Sequence, residues 1–307
     1  MFMKNNKQAL FLTLLFVCGP SSIRVQALES GAEFLKIGTD AKAMAMGSAY
    51  TAAASGTDAL YYNPAGLAGA KGYELAFSHA NWLLDSRHDF IGLAFPMKLG
   101  GRQLGGGLGV TRLSNAGMEG RGADRSAGGS FDSYDQAVSL ALAARGGAYS
   151  FGLGGKYIES SIAGEKAKAF AIDLGVNRSL NNLPMSIGLA VQNLGTPMKY
   201  MTQRDPLPVS VAAGLMLGII PGFNITLDAR RLLHEKNNVF SVGSDYSFMP
   251  GFALRTGYMM SNVAAIGGLG GFSGGVGMNM FATQLDYSIT PFAGLGNAQK
   301  ISLKKKF

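Results

Sequence analysis

Lys168-Ala169-Phe170-Ala171-Ile172-Asp173-Leu174-Gly175-Val176-Asn177-Arg178 alternates with a period of two. The even positions Phe170, Ile172, Leu174 and Val176 are large and apolar, whereas Ala169, Ala171, Asp173, Gly175 and Asn177 are small or polar. Successive side chains of a β-strand point to opposite faces, so this stretch predicts a strand with one greasy face and one face of small residues. The same split recurs over Tyr149–Tyr157, Met185–Val191, Phe223–Asp228 and Gln284–Thr290. A soluble sandwich would turn the large residues inward and cover its outside with charge. With only 15% of residues charged, these strands cannot do so.

The pattern fits a wall whose large residues face lipid and whose small residues line a lumen. Asp173, Asp228 and Asp286 fall on the lumenal face and predict pairing there with Lys156 or Arg230. A charge on the lipid face, as in Leu174→Arg, should be damaging, and Asp173→Asn on the lumenal face should assemble nearly normally. No apolar run after residue 27 reaches the 18 residues of a spanning-helix candidate. Only helices and closed barrels satisfy every backbone polar group in hydrocarbon, so the reading is an all-β, transmembrane barrel.

Fourteen antiparallel strands can be placed, near 73–79, 87–97, 100–114, 131–145, 147–161, 166–179, 183–194, 207–219, 221–232, 236–248, 250–260, 270–280, 281–290 and 298–307. Tight turns such as Ile220-Pro221-Gly222 and Met249-Pro250-Gly251 alternate with longer links near 115–130, 161–166, 195–206, 233–236, 261–269 and 291–297. Short turns on one rim and longer loops on the other are the habit of bacterial outer-membrane barrels, whose short side is periplasmic. The closing Ile301-Ser302-Leu303-Lys304-Lys305-Lys306-Phe307 keeps Phe307 in phase with Ile301 and Leu303, as expected of a last strand presented to the barrel-assembly machinery. Lys304-Lys305-Lys306 reads as a solvated or headgroup-facing tail.

Residues 1–27 read as a secretory signal peptide: Lys4 and Lys7, an apolar run from Ala9 to Gly19, then Val25-Gln26-Ala27. Export to the outer membrane follows, with outer-membrane lipid as surroundings. Cys18, the single cysteine, lies within that segment, so disulfides and thiolate metal sites are not expected. Removing Lys4, Lys7 and Arg24 from the 27 basic residues leaves 24 against 19 acids, a net charge of +5. With basic residues scattered through links, no nucleic-acid surface is expected. His79, His88 and His234 are not spaced as metal ligands. Phosphate-loop and nucleophile-turn motifs are also missing, so no enzyme and no cofactor is expected.

Residues 28–71 break the alternation. Asp40 can cap a short helix, Thr57-Asp58 can start a second, and Asn63-Pro64-Ala65-Gly66 forces a compact turn. A segment so poor in charge suits the inside of a barrel lined with glycine and alanine. The expected layout is a plug at 28–71 and a barrel at 72–307.

Several motifs in this frame are familiar: Phe34-Leu35-Lys36-Ile37-Gly38-Thr39-Asp40-Ala41, Met44-Ala45-Met46-Gly47, Asn63-Pro64-Ala65-Gly66-Leu67-Ala68, Val191-Gln192-Asn193-Leu194-Gly195 and Asp205-Pro206-Leu207-Pro208. Together they resemble the PorV/PorQ-like family of outer-membrane barrels. That family is similar in fold to the FadL hydrophobic-compound transporters, fourteen-stranded barrels with an N-terminal lumenal hatch. The resemblance implies that the Asn63–Gly66 turn ends a lumenal plug and hands the chain to the first strand. It also implies two functions. One is an accessory role in type IX secretion, binding secreted cargo or a translocon at the outer rim, for which Thr111–Asn115 and Met198–Arg204 with Tyr200 offer aromatic and basic surface. The alternative is passage of a hydrophobic small molecule through the plugged lumen.

Overall fold

Among the described residues, alternation becomes sixteen strands: β1 (Glu74–Asn81), β2 (Arg87–Leu99), β3 (Arg102–Arg121), β4 (Ala127–Gly146), β5 (Tyr149–Ile162), β6 (Glu165–Leu180), β7 (Met185–Gly195), β8 (Met198–Tyr200), β9 (Gln203–Asp205), β10 (Ser210–Ile220), β11 (Phe223–Leu232), β12 (Asn237–Met249), β13 (Phe252–Ser261), β14 (Phe272–Met280), β15 (Thr283–Pro291) and β16 (Asn297–Lys306). The computed structural model describes residues 30–121, 126–180, 183–200, 202–261 and 271–307. The signal-peptide reading of residues 1–27 and most of the expected link at 261–269 lie outside them.

Fourteen strands form one closed antiparallel barrel, each paired with its chain neighbour, and β8–β9 form a separate hairpin between β7 and β10. Closure comes from β1 against β16, with Phe77 opposite Leu303 and His79 opposite Ile301. Closing the ladder removes every unpaired edge, which is the condition for crossing hydrocarbon.

Side-chain direction follows the period. On β6, Phe170 is 63% and Leu174 45% exposed, while Asp173 between them is 2% exposed. Each barrel strand shows at least one large apolar side chain outward, from Phe77 on β1 to Ile301 on β16. Aromatic pairs border this surface: Tyr149–Phe151 and Phe223–Tyr246 near the rim that holds the ends of β1 and β16, and Tyr157–Phe170 and Tyr258–Phe272 near the far rim. Such belts mark the two lipid interfaces of a membrane barrel. Leu174→Arg should therefore destabilise the protein by about 2–4 kcal/mol if it lies near the bilayer midplane. Urea unfolding in lipid vesicles measures this, and an unchanged midpoint would refute the outward assignment.

Two expected links contain strand. β3 and β4 run 20 residues each and stay paired beyond the expected ends, with Asn115 opposite Ser133 and Glu119 opposite Ser130. A spanning strand needs only about 9–11 residues, so β3 and β4 project past the lipid, where greasy alternation is no longer required. That is why Asn115–Arg121 reads as a link. The second addition is the β8–β9 hairpin, inside the expected link at 195–206.

Candidate functional site

The segment before β1 crosses the lumen from the far rim to the rim of the termini. At its start, the Gly31 N–H donates to the Pro206 carbonyl at 2.9 Å. Lys36 pairs with Glu235 at 2.5 Å and with Glu33 at 2.6 Å. Asp40 then caps α1 (Ala41–Ala45), its carboxylate accepting the Ala43 N–H at 3.1 Å, as the sequence predicts. Thr57-Asp58 behave otherwise. No side chain caps the turn at Gly56–Asp58 or α2 (Ala59–Tyr62) that follows it. Instead Glu74, at the start of β1, accepts both the N–H and the hydroxyl of Thr57 at 2.8 Å. Asp58 is drawn away to Lys304 at 2.6 Å.

Asn63 is buried at the end of α2 and uses both halves of its amide. Its Oδ1 accepts the Ala65 N–H at 3.1 Å, and its Nδ2 donates to the carbonyls of Thr51 (2.9 Å) and Val176 (3.2 Å). One side chain thus shapes the turn, ties two parts of the segment together and fastens them to β6. Pro64 begins the short 3-10 helix Pro64–Gly69, where its missing N–H costs nothing. Ala65 is buried beside it. Gly66 lies so close to the Ala54 carbonyl that a Cβ would overlap it.

The barrel wall answers with glycine. A Cβ on Gly152 would collide with Pro64 and Ala65, on Gly175 with Asn63, on Gly188 with Thr51, and on Gly257 with Met46 and Gly47. These inward glycines let the segment's backbone lie directly against the strands.

Charged lumenal groups complete the docking. Lys156 and Asp173 form a buried ion pair at 2.6 Å. Both also bind Asn193, Lys156 donating to its Oδ1 and Asp173 accepting its N–H, each at 2.8 Å. Asn193 has φ 60° and sits where the β6–β7 register shifts, so an inward bulge presents these groups. Asp173→Asn is therefore not the mild change the lumenal position implies, because it would leave Lys156 buried beside a neutral amide. Asp228 does not pair with Arg230; it accepts the N–H groups of Tyr50 (3.1 Å) and Thr51 (2.9 Å). Asp286 pairs with Arg255 at 2.6 Å, Arg255 with Asp245 at 2.9 Å, and Asp245 with Lys42 at 2.9 Å.

Arg255 and Asp245 were missed by the sequence reading, although alternation against outward Leu254 and Tyr246 carries the signal. The reading of Lys304 as part of a solvated tail is corrected as well. Lys300, Ser302 and Lys304 all face the lumen, opposite in phase to Ile301 and Leu303. Lys304 bonds Asp40 at 2.9 Å as well as Asp58, and Lys300 donates to the Gly38 carbonyl. Two carboxylates share one ammonium. Burial and then the charge of Asp40 push the Asp58 carboxyl up to about 7, whereas at Asp40 the upward push of burial is outweighed by Lys304, the Ala43 N–H and Lys42 together, and the carboxyl stays below its ordinary value. Phe307 is exposed, in phase with Ile301 and Leu303, and its N–H donates to the Tyr73 carbonyl at 2.9 Å.

On the far-rim side of this docked segment lies a cavity of about 440 Å3. Leu35, Ile37, Met44 and Tyr61 line it from the segment, and Trp82 and Phe292, packed edge to face at 5.4 Å, line it from the wall. Burial raises the Tyr61 phenol to about 12, so it stays uncharged. The Arg230 side chain also reaches this space, making no side-chain ion pair or hydrogen bond among the described residues while its charge acts on Asp228 and Tyr61, and Glu33, Lys36 and Glu235 stand at the mouth. The β8–β9 hairpin folds inward beside it. Met198 is 1% exposed against Phe34, and the Tyr200 hydroxyl donates to Ser160. The aromatic surface expected on this link is thus turned into the barrel, leaving Lys199 and Arg204 outside.

No family model and no curated protein matches the sequence. Solved structures do match in fold. CymD, a monoaromatic hydrocarbon channel, superposes with a TM-score of 0.63 at 14% identity, over 88% of this chain and 98% of that one. The toluene transporter TodX of P. putida gives 0.62 at 14% identity, over 88% and 99%. A FadL homologue of Pseudomonas aeruginosa gives 0.56 at 11% identity, over 87% and 97%. The closed ladder and the helical segment inside it are those of the FadL/TodX-like outer-membrane barrels, and this chain has their fourteen-stranded fold.

Proposed function

We propose that the protein is an outer-membrane channel for hydrophobic small molecules, with the far rim facing outward and the rim of the termini facing the periplasm. The observation that carries this reading is the cavity itself. Its volume of about 440 Å3 falls within the roughly 300–1,000 Å3 of small-ligand sites, and its walls are largely apolar and aromatic. Its floor is the docked N-terminal segment, so a molecule held there has entered the barrel without reaching the other rim. Channels of the same fold carry monoaromatic hydrocarbons, which supports the reading. Arg230 adds a preference for ligands whose apolar body ends in an anionic or strongly accepting group.

An accessory role in secretion, of the PorV/PorQ kind, would place the working surface on the rim links. Met198 and Tyr200 are engaged inward, which leaves the β8–β9 hairpin little apolar surface for cargo and favours the cavity.

Trp82 is the single tryptophan of the chain and lines the cavity, so its fluorescence reports occupancy directly. Titration with toluene or a medium-chain fatty acid should quench it. Ser241→Phe, which fills the cavity from β12, should weaken binding by about tenfold or more and lower uptake in proportion. Quenching of equal affinity in the variant would sink the proposal. Loss of surface cargo with uptake intact would transfer the function to secretion.

A further inference from the structure

The outward face of β3–β6 changes character within one residue row. Val110, Val138, Tyr157 and Phe170 stand side by side across the four strands, and the Tyr157 and Phe170 rings are 5.3 Å apart. One row nearer the far rim, the neighbours are Arg112, Gln136, Glu159 and Lys168. The row beyond brings Tyr134 and Lys166 to the same face. A greasy shelf therefore ends directly against a charged band.

The band is organised around one acid. Glu159 accepts the hydroxyls of Tyr134 (2.7 Å) and Tyr157 (3.2 Å) and bonds Lys166 at 3.2 Å, with Lys168 at 3.8 Å. Arg112 lies over the Tyr134 ring, 4.4 Å from its centroid, and donates to Gln136 at 3.3 Å. Both lysine side chains remain more than half exposed. Three cations thus surround one carboxylate whose oxygens already have several donors. The next acid along the row, Asp89 opposite Arg112, is held by His79 at 2.7 Å. The face keeps a net positive charge, in positions set by strands rather than by a loop.

We propose that this face binds a phosphorylated glycolipid of the outer leaflet. Arg112, Lys166 and Lys168 take its phosphate, and the Val138–Tyr157–Phe170 shelf takes its acyl chains. A soluble anionic macromolecule has no use for a lipid-facing shelf flush with the cations, and a neutral lipid has no use for the cations. A molecule with phosphate on a sugar head and hydrocarbon immediately beneath uses both. The inference rests on the outward orientation of the far rim and is independent of the ligand of the cavity.

The test uses the full-length barrel, purified in detergent and stripped of lipid, then offered diphosphorylated lipid A, its dephosphorylated form or phosphatidylglycerol. Native mass spectrometry counts the lipid retained. The wild type should keep diphosphorylated lipid A about tenfold better than either alternative. The triple variant R112A/K166A/K168A should lose that preference while keeping its heat-dependent gel mobility and its Trp82 quenching by cavity ligands. A second variant, Lys168→Arg, should retain it. Equal retention of all three lipids by the wild type overturns the proposal, as does an unchanged preference in the triple variant. Displacement by millimolar inorganic phosphate alone would also overturn it, by making the site a free-anion site. Loss of Trp82 quenching in the wild type would instead count against the channel reading.

Discussion

Deleting residues 30–66 should turn a non-conducting barrel into an open pore, raising single-channel conductance in planar bilayers by an order of magnitude or more. The strand ladder closes without these residues, since β1 pairs with β16 and every other barrel strand with its neighbour. What they supply is filling: α1 and α2 lie against strands whose inward glycines make room for them. Once they are gone, Asp228, Asp245 and Lys304 lose their partners in the segment and become hydrated, so the lumen is lined with charge and wet. The deleted protein should still run as a folded band before heating. Conductance equal to that of the intact chain would show that the segment does not close the lumen, and would remove the floor from the proposed ligand cavity.

Lys304→Met should release the same segment without shortening the chain. The ammonium is buried between Asp40 at 2.9 Å and Asp58 at 2.6 Å, so removing it leaves two carboxylates close together with no cation between them. Breaking a buried ion pair from one side costs about 3–5 kcal/mol, more than the packing of a methionine of similar length returns. Both acids have their pKa raised by the loss. The variant should therefore be least stable at neutral pH, where folding must keep the acids protonated or expose them, and should recover as the pH falls and they are neutralised. Unfolding midpoints in detergent, together with tryptic cleavage after Lys36 and Lys42, follow this directly. Adding Asp58→Asn to Lys304→Met should restore part of the stability at pH 7. Lys305→Met, one residue on and facing outward, serves as the control. If Lys304→Met matches the wild type at every pH, the shared ammonium does not hold the segment.

Strand number, face assignment and the lumenal position of Asp173, Asp228 and Asp286 were legible in the chain because alternation is local. A strand in a barrel must repeat every two residues whatever its neighbours are, and lipid on one side leaves little choice of residue. The helical turns at Asp40 and Pro64 were legible for the same reason, since capping and proline act within three or four residues. Past the lipid that constraint lapses, so the outer halves of β3 and β4 and the β8–β9 hairpin were not. Contacts between distant parts of the chain left no local trace. The bond from Asn63 to Val176 spans 113 residues and that from Lys304 to Asp58 spans 246. A lumenal glycine reads as small in sequence, and only the folded barrel decides that Gly152 and Gly175 must be glycine because the backbone at Asn63–Ala65 occupies the space of their missing Cβ. The same holds for charge: the sequence by itself determined that Lys304 alternates with Leu303, but its partner is chosen by which part of the N-terminal segment the closed barrel brings within 3 Å of it.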